Sequence, residues 1–235
     1  MVMLHLLVLV MFGFIENIKI IIMEKIEHII NSIKRAQLNK SKLTKEVLEC
    51  GGFSSNKIRH LLNNILDYPN TNYLEIGVFM GSTFVSALYK NNINIAYAID
   101  NWSEFNDYGD IKKIFNDTCK KNNINNYKIF EEDCFSLDLS KIKEKINVYL
   151  YDGNHDEINQ YKALKYYYPI LADEFIFMVD DFDSYDAKWA EVERGTRHAI
   201  DDLNLKILYE NHLHSFGRNN ADSWWNGFFV SYLKK

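Results

Sequence analysis

Proline is almost missing from this chain: Pro69 and Pro169 are the only two in 235 residues, so no motif built on paired prolines is present. Cysteine is scarce as well. Cys50, Cys119 and Cys134 are odd in number and lack CxxC spacing, which excludes a disulfide framework and a cysteine zinc site. That usage fits a reducing compartment, and a cytoplasmic location is the expectation. Positive charge is in deficit, with 27 Lys and Arg against 32 Asp and Glu and a formal net charge of −5. The basic residues are scattered and form no stripe interleaved with aromatics, so nucleic acid is not expected as a partner. No GxGxxG fingerprint, internal repeat or low-complexity linker occurs.

One long apolar run exists, "MVMLHLLVLVMFGF" at residues 1–14. It lacks a basic flank and is short for a membrane span. Residues 1–22 therefore read as an apolar N-terminal extension, either from an upstream start or as a loosely packed extra helix. A signal or membrane anchor at 1–14 is the alternative, and membrane association is not otherwise expected. Met23 opens "MEKIEHIINSIKRA", in which Ile26, Ile29, Ile30 and Ile33 recur at helical spacing. A helical region over 23–69 follows, with a serine N-cap before "NKIRHLLNNIL" and Gly51–Gly52 between helices.

From residue 70 to 235 the pattern alternates. Short runs rich in β-branched and aromatic residues at 73–76, 95–99, 127–130, 146–151 and 174–179 are separated by helical windows at about 82–90, 110–122, 156–168 and 188–203. Two more strand-like runs, 206–210 and 227–233, end the chain. The prediction is one α/β domain with a mostly parallel seven-stranded sheet, helices on both faces and a helical N-terminal extension. Ligands of such sheets bind beyond the carboxyl ends of the strands. Acids stand at successive exits here: Glu75, Asp100, Asp133, Asp152 and the pair Asp180–Asp181.

The first exit reads "YLEIGVFMGST". Gly77 and Gly81 allow close backbone approach before a helix begins. A carboxylate at Glu75 would repel a diphosphate but suits a ligand carrying an ammonium or sulfonium charge. "LEIGVFMGST" resembles motif I of the class I S-adenosylmethionine (SAM)-dependent methyltransferases, whose fold is Rossmann-like. "AIDNW" resembles their second motif, and "YDGNHD…VDDF" the fourth- and fifth-strand signatures of a subgroup reading "IDGDH…DD", adjacent to small-molecule and sugar O-methyltransferases. The resemblance covers roughly 70–235. It implies that Glu75, Gly77 and Gly81 surround the methionine moiety, that Asp100 accepts both ribose hydroxyls, and that Asp133 and Cys134 meet the adenine. Trp102 is placed either on the adenine face or in the core or lid.

The resemblance also implies a divalent metal, Mg²⁺ or Mn²⁺, at Asp152, Asp180 and Asp181; the bland alternative for "DD" is a structural cap. Hard carboxylate oxygens suit such ions, and a metal beside the methyl group would lower the pKa of an acceptor hydroxyl. The sequence departs from the subgroup at Asn154, where a second acid is usual and an amide cannot take a proton. His155 follows, with an unperturbed pKa of about 6.5 suited to a general base; orienting a carboxylate or capping the next helix are its other possible roles. Asp152 and His155 are thus the catalytic candidates. His212 and His214 share one strand face, but no third metal ligand is evident in sequence and they read as structural. The expected function is O-methylation of a small hydroxylated molecule such as a sugar. A SAM-binding fold without catalysis, serving as an interaction module, is the alternative that Asn154 keeps open. The absence of a [DNS]PP[YF] motif weighs against nucleic-acid methylation.

Overall fold

The computed structural model describes residues 2–183 and 190–235, with side chains from residue 19 onward except at position 106. The chain begins with α1 (Val2–Gln37), one uninterrupted helix that runs through Met23. The apolar side chains of residues 1–14 lie outside those described. Among the described residues, no helix is long and apolar enough to cross a membrane.

The isoleucine stripe of α1 does what its spacing predicts: Ile29 and Ile33, with Ala36, are buried. The helix stops at Asn39, which takes a positive φ of 51°. The Asn39 N–H donates to Ala36 O (2.9 Å) and the Lys40 N–H to Arg35 O (2.9 Å), the paired bonds that satisfy a helix's last carbonyls. A short α2 (Lys45–Leu48) and then α3 (Asn56–Ile65) follow, the latter capped by Ser55, whose side chain accepts from Ile58 N at 3.3 Å.

Then β1 (Asn72–Ile76), α4 (Ser82–Leu88), β2 (Ile95–Ile99), α5 (Ile111–Lys121), β3 (Tyr127–Phe130), β4 (Ile146–Tyr151), α6 (Glu157–Tyr167) and β5 (Leu171–Asp180) alternate. The chain closes with α7 (Ala190–Asp202), β6 (Lys206–Leu213) and β7 (Phe228–Lys234). The seven-stranded sheet has the order β3-β2-β1-β4-β5-β7-β6, with β7 antiparallel to both of its neighbours and the other pairings parallel.

Side chains alternate across the sheet and feed two cores. One joins Tyr73, Ala96, Val148 and Ile176 to α1, α3, α4 and α5; the other joins Leu74, Tyr149 and Phe177 to α6 and α7. Strand order reverses between β1 and β4, and that is where the backbone leaves a crevice. Its two lips are pinned: the Gly77 N–H donates to Ile99 O and the Asp152 N–H to Ile76 O, both at 2.9 Å.

Candidate cofactor and acceptor site

A cavity of about 690 Å³ opens over the carboxyl ends of β1, β2 and β4. That is the size of a pocket for a cofactor-sized molecule. Gly77, Asp100, Trp102, Asp133, Cys134, Asp152, His155, Asp180 and Asp181 all line it. The sequence-predicted residues are therefore brought together, with two corrections.

Glu75 does not line the cavity. It lies beneath the floor with no exposure, because it and Tyr73 share one face of β1. The Tyr73 hydroxyl donates to one Glu75 oxygen at 2.5 Å and the Thr83 hydroxyl to the other at 2.6 Å. Burial nonetheless pushes the Glu75 carboxyl up to about 7, against those two donors. Gly81 is also absent from the wall. It is the N-cap of α4 with φ 89°, and a Cβ there would come within 3.0 Å of the Phe115 ring. Gly77 lines the cavity, but its lack of a side chain has a different cause from ligand approach: at φ 84°, a Cβ would stand 1.9 Å from the Asp152 carbonyl oxygen.

Asp100, just past β2, is held by its own turn. One carboxylate oxygen accepts from Phe79 N (2.9 Å) and the other from Trp102 N (2.8 Å). Each oxygen keeps lone-pair capacity for a further donor. Burial raises the Asp100 pKa, which the backbone N–H groups oppose. The Trp102 indole donates to Phe79 O at 3.0 Å and packs on Phe115, so it braces the Gly77–Phe79 turn while lining the cavity. Asp133 is exposed and accepts from Phe135 N (2.9 Å) and the Ser136 hydroxyl (3.1 Å). Burial pushes the neighbouring Cys134 thiol up to about 12, so it is a neutral wall group.

Across the cavity stand the exits of β4 and β5. Burial, and then the charges of Asp180 and Asp181, hold the Asp152 pKa well above the carboxylate range. Asp180 is raised by burial and by Asp181. Asp181 is raised by burial, opposed by His155 and by Asn226. Asn226 Nδ2 donates to Asp181 Oδ1 at 3.0 Å, and His155 Nε2 lies 3.5 Å from Asp181 Oδ2. Among the described residues the buried Asp180 Oδ1 has no hydrogen-bond partner. Hard oxygens crowded together, one of them orphaned, form a donor set that fits a hard divalent cation. The three carboxylates are nevertheless not gathered into one coordination cluster. The group whose ligand atoms do all lie within 4.8 Å of one another is Asp183, His212 and His214. The two histidines, read as structural in sequence, thus meet a carboxylate from a loop far off in sequence.

The ionisable side chains of the cavity wall are acidic apart from His155, with Asp100, Glu104, Asp133, Asp152, Asp180 and Asp181 among them, and no lysine or arginine of the described residues lines it. Sequence reasoning missed three supports. Tyr73 was findable from its two-residue offset to Glu75 on a strand; Thr83 and Asn226 carry no local signal.

No protein-family model matches the chain, and no curated protein does. Solved structures do. An O-methyltransferase from Bacillus cereus in complex with S-adenosylhomocysteine (SAH) superposes with a TM-score of 0.58 at 14% identity, over 87% of this chain and 91% of that one. A precorrin-6y C5,15-methyltransferase from Geobacter metallireducens GS-15 gives 0.54 at 11% identity, over 83% and 98%. A precorrin 8W decarboxylase from Methanobacterium thermoautotrophicum gives 0.54 at 16%, over 79% and 94%. The fold is the Rossmann-like fold of these proteins. At such identities the likeness speaks for the fold alone.

Proposed function

We propose that the chain is a SAM-dependent methyltransferase that transfers a methyl group to a hydroxyl of a small polar acceptor, such as a sugar. The observation that carries this reading is the make-up of the cavity wall: acidic side chains, those of Asp100, Asp152, Asp180 and Asp181 raised in pKa by burial, and no lysine or arginine among the described residues lining it. Such a wall offers a pyrophosphate no countercharge, whereas a sulfonium would draw those acids toward their ionised form. When bound, SAM supplies an electrophilic methyl carbon. Asp100, oriented by two backbone N–H groups, is placed to accept hydroxyls of a ribose diol. Asp133 and Cys134 would border the base, and Trp102 braces the turn beneath it.

His155 stands on the acceptor side of the same cavity and is the group to take a proton from the acceptor hydroxyl, since Asn154 cannot. Asp152, Asp180 and Asp181 would have to draw together to hold a divalent ion, which, so held, would supply acidification of that hydroxyl. Asn219 and Asn226 line the cavity with amides suited to a hydroxylated molecule, and Phe53 and Phe79 (ring centroids 5.2 Å apart) add an apolar stretch of wall.

The test is transfer of a tritiated methyl group from labelled SAM to a panel of sugars and other polyols, with and without EDTA. Acceptor labelling that chelator abolishes supports both methyl transfer and metal assistance. Chelator-resistant labelling removes the metal from the reading. SAM binding without labelling of any acceptor favours the non-catalytic alternative.

A further inference from the structure

We propose that Asp183, His212 and His214 form a transition-metal site of the zinc type, separate from the cavity described above. The two histidines sit at the end of β6 and Asp183 lies just past β5, at the same edge of the sheet, with β7 between the two strands. His212 pairs with Phe229 and Asp180 with Phe228 across β7, which brings the two exits level. None of the three residues lines the cofactor cavity. The inference stands independently of the methyltransferase reading.

The geometry converges on one point. His214 Nδ1 lies 2.8 Å and His212 Nε2 2.9 Å from the same oxygen, Asp183 Oδ1, and the two imidazoles approach to 3.7 Å between centroids. The other carboxylate oxygen accepts from Ser215 N at 2.7 Å, which fixes the orientation of the group, as outer hydrogen bonds do for metal-binding carboxylates. Phe182, itself buried, packs edge-on against His212 at 4.9 Å. Despite its short approach to Asp183, the His212 Nε2 is buried and makes no hydrogen bond of acceptable geometry among the described residues.

Two imidazoles and one carboxylate select a borderline cation over Mg²⁺ or Ca²⁺. With metal–ligand bonds of about 2.0–2.1 Å in a tetrahedron, donor atoms stand about 3.3 Å apart. The two nitrogen–oxygen separations need to open by only about 0.5 Å, within the torsional play of the side chains. The His214 side chain is 68% exposed, against 20% for His212 and 7% for Asp183, so a fourth position faces water. A cation here would also stiffen the cavity wall. The Asp183 N–H donates to Asn226 O (2.9 Å), and the Asn226 side chain is the one that holds Asp181.

The experiment uses the full chain, stripped with chelator, dialysed against Zn²⁺ in the presence of excess Mg²⁺ to satisfy the hard carboxylates. One Zn²⁺ per chain is expected, and Co²⁺ should give the visible absorption of a low-coordinate, nitrogen-ligated ion. His214→Gln, at an exposed side chain, should weaken Zn²⁺ at least about tenfold, since even outer-shell losses cost 10–100-fold. His212→Ala should weaken it further, with near-UV circular dichroism reporting whether the fold persists. Asp180→Asn should leave Zn²⁺ binding unchanged. Absence of stoichiometric Zn²⁺ in the wild type would overturn the proposal and leave a hydrogen-bonded Asp-His-His cluster. Equal Zn²⁺ affinity in wild type and His214→Gln, or loss of Zn²⁺ in Asp180→Asn, would overturn it too.

Discussion

The Glu75 carboxyl should make the stability of this protein fall as pH rises through neutrality. It has no exposure to solvent, and burial pushes its pKa from 4.5 to about 7 although Tyr73 and Thr83 both donate to it. Between those two values the folded chain keeps a proton that the unfolded chain releases. The stabilisation is therefore complete below the unfolded pKa and is lost as pH climbs through the folded one. At about 1.4 kcal/mol per pH unit of the window, the loss amounts to about 3 kcal/mol. Asp152, Asp180 and Asp181 are also raised by burial and contribute in the same direction, so the informative quantity is a difference between proteins. Glu75→Gln keeps the shape and removes the ionisation. Urea unfolding at pH 5 and pH 8 should show the wild type losing about 2.5 kcal/mol more than the variant across that interval, part of the loss already lying below pH 5. Parallel profiles for the two proteins would refute the reasoning and place the Glu75 pKa near its ordinary value.

Gly77→Ala should cost roughly 2–5 kcal/mol of stability, from a left-handed backbone and a Cβ 1.9 Å from the Asp152 carbonyl oxygen; urea denaturation reads this, and a neutral outcome would mean the β1 and β4 exits are not as close as described. His155→Ala should slow methyl transfer by roughly 10²–10⁴-fold with little effect on SAM affinity, and the deficit should shrink at high pH, where the acceptor hydroxyl ionises unaided. A chain beginning at Met23 should stay soluble and bind SAM, because among the described side chains of α1 the deeply buried ones begin at Ile29; aggregation or loss of binding would show that the preceding segment packs on the core.

The strands were legible because each is a short apolar run, the first five with an acid at or next to the exit, and all seven lie within a few residues of the positions that pattern predicts. The order of the last two was not: the insertion of β7 between β5 and β6 depends on long-range pairing that local sequence does not encode. Asp100, Asp133, Asp152, Asp180 and Asp181 were findable as a set because strand ends concentrate them at one crevice. Glu75 was misplaced by the same logic. A residue one step before the exit alternates away from the opening, and the period-two rule puts it beside Tyr73, under the floor. His212 and His214 were set aside for want of a partner. Asp183 is close only because two strand exits meet across β7, a distance no spacing rule reports.

Calorimetric titration of the purified chain with SAM and with SAH tests the central claim most directly. The acidic cavity and the Asp100 turn predict binding of one molecule per chain. Asp100→Ala should weaken it by roughly 1.5–3 kcal/mol for each charge-assisted hydrogen bond lost to the ribose. Heat signals absent from the wild type, or an Asp100→Ala variant that binds as tightly, would contradict the assignment of this cavity to SAM.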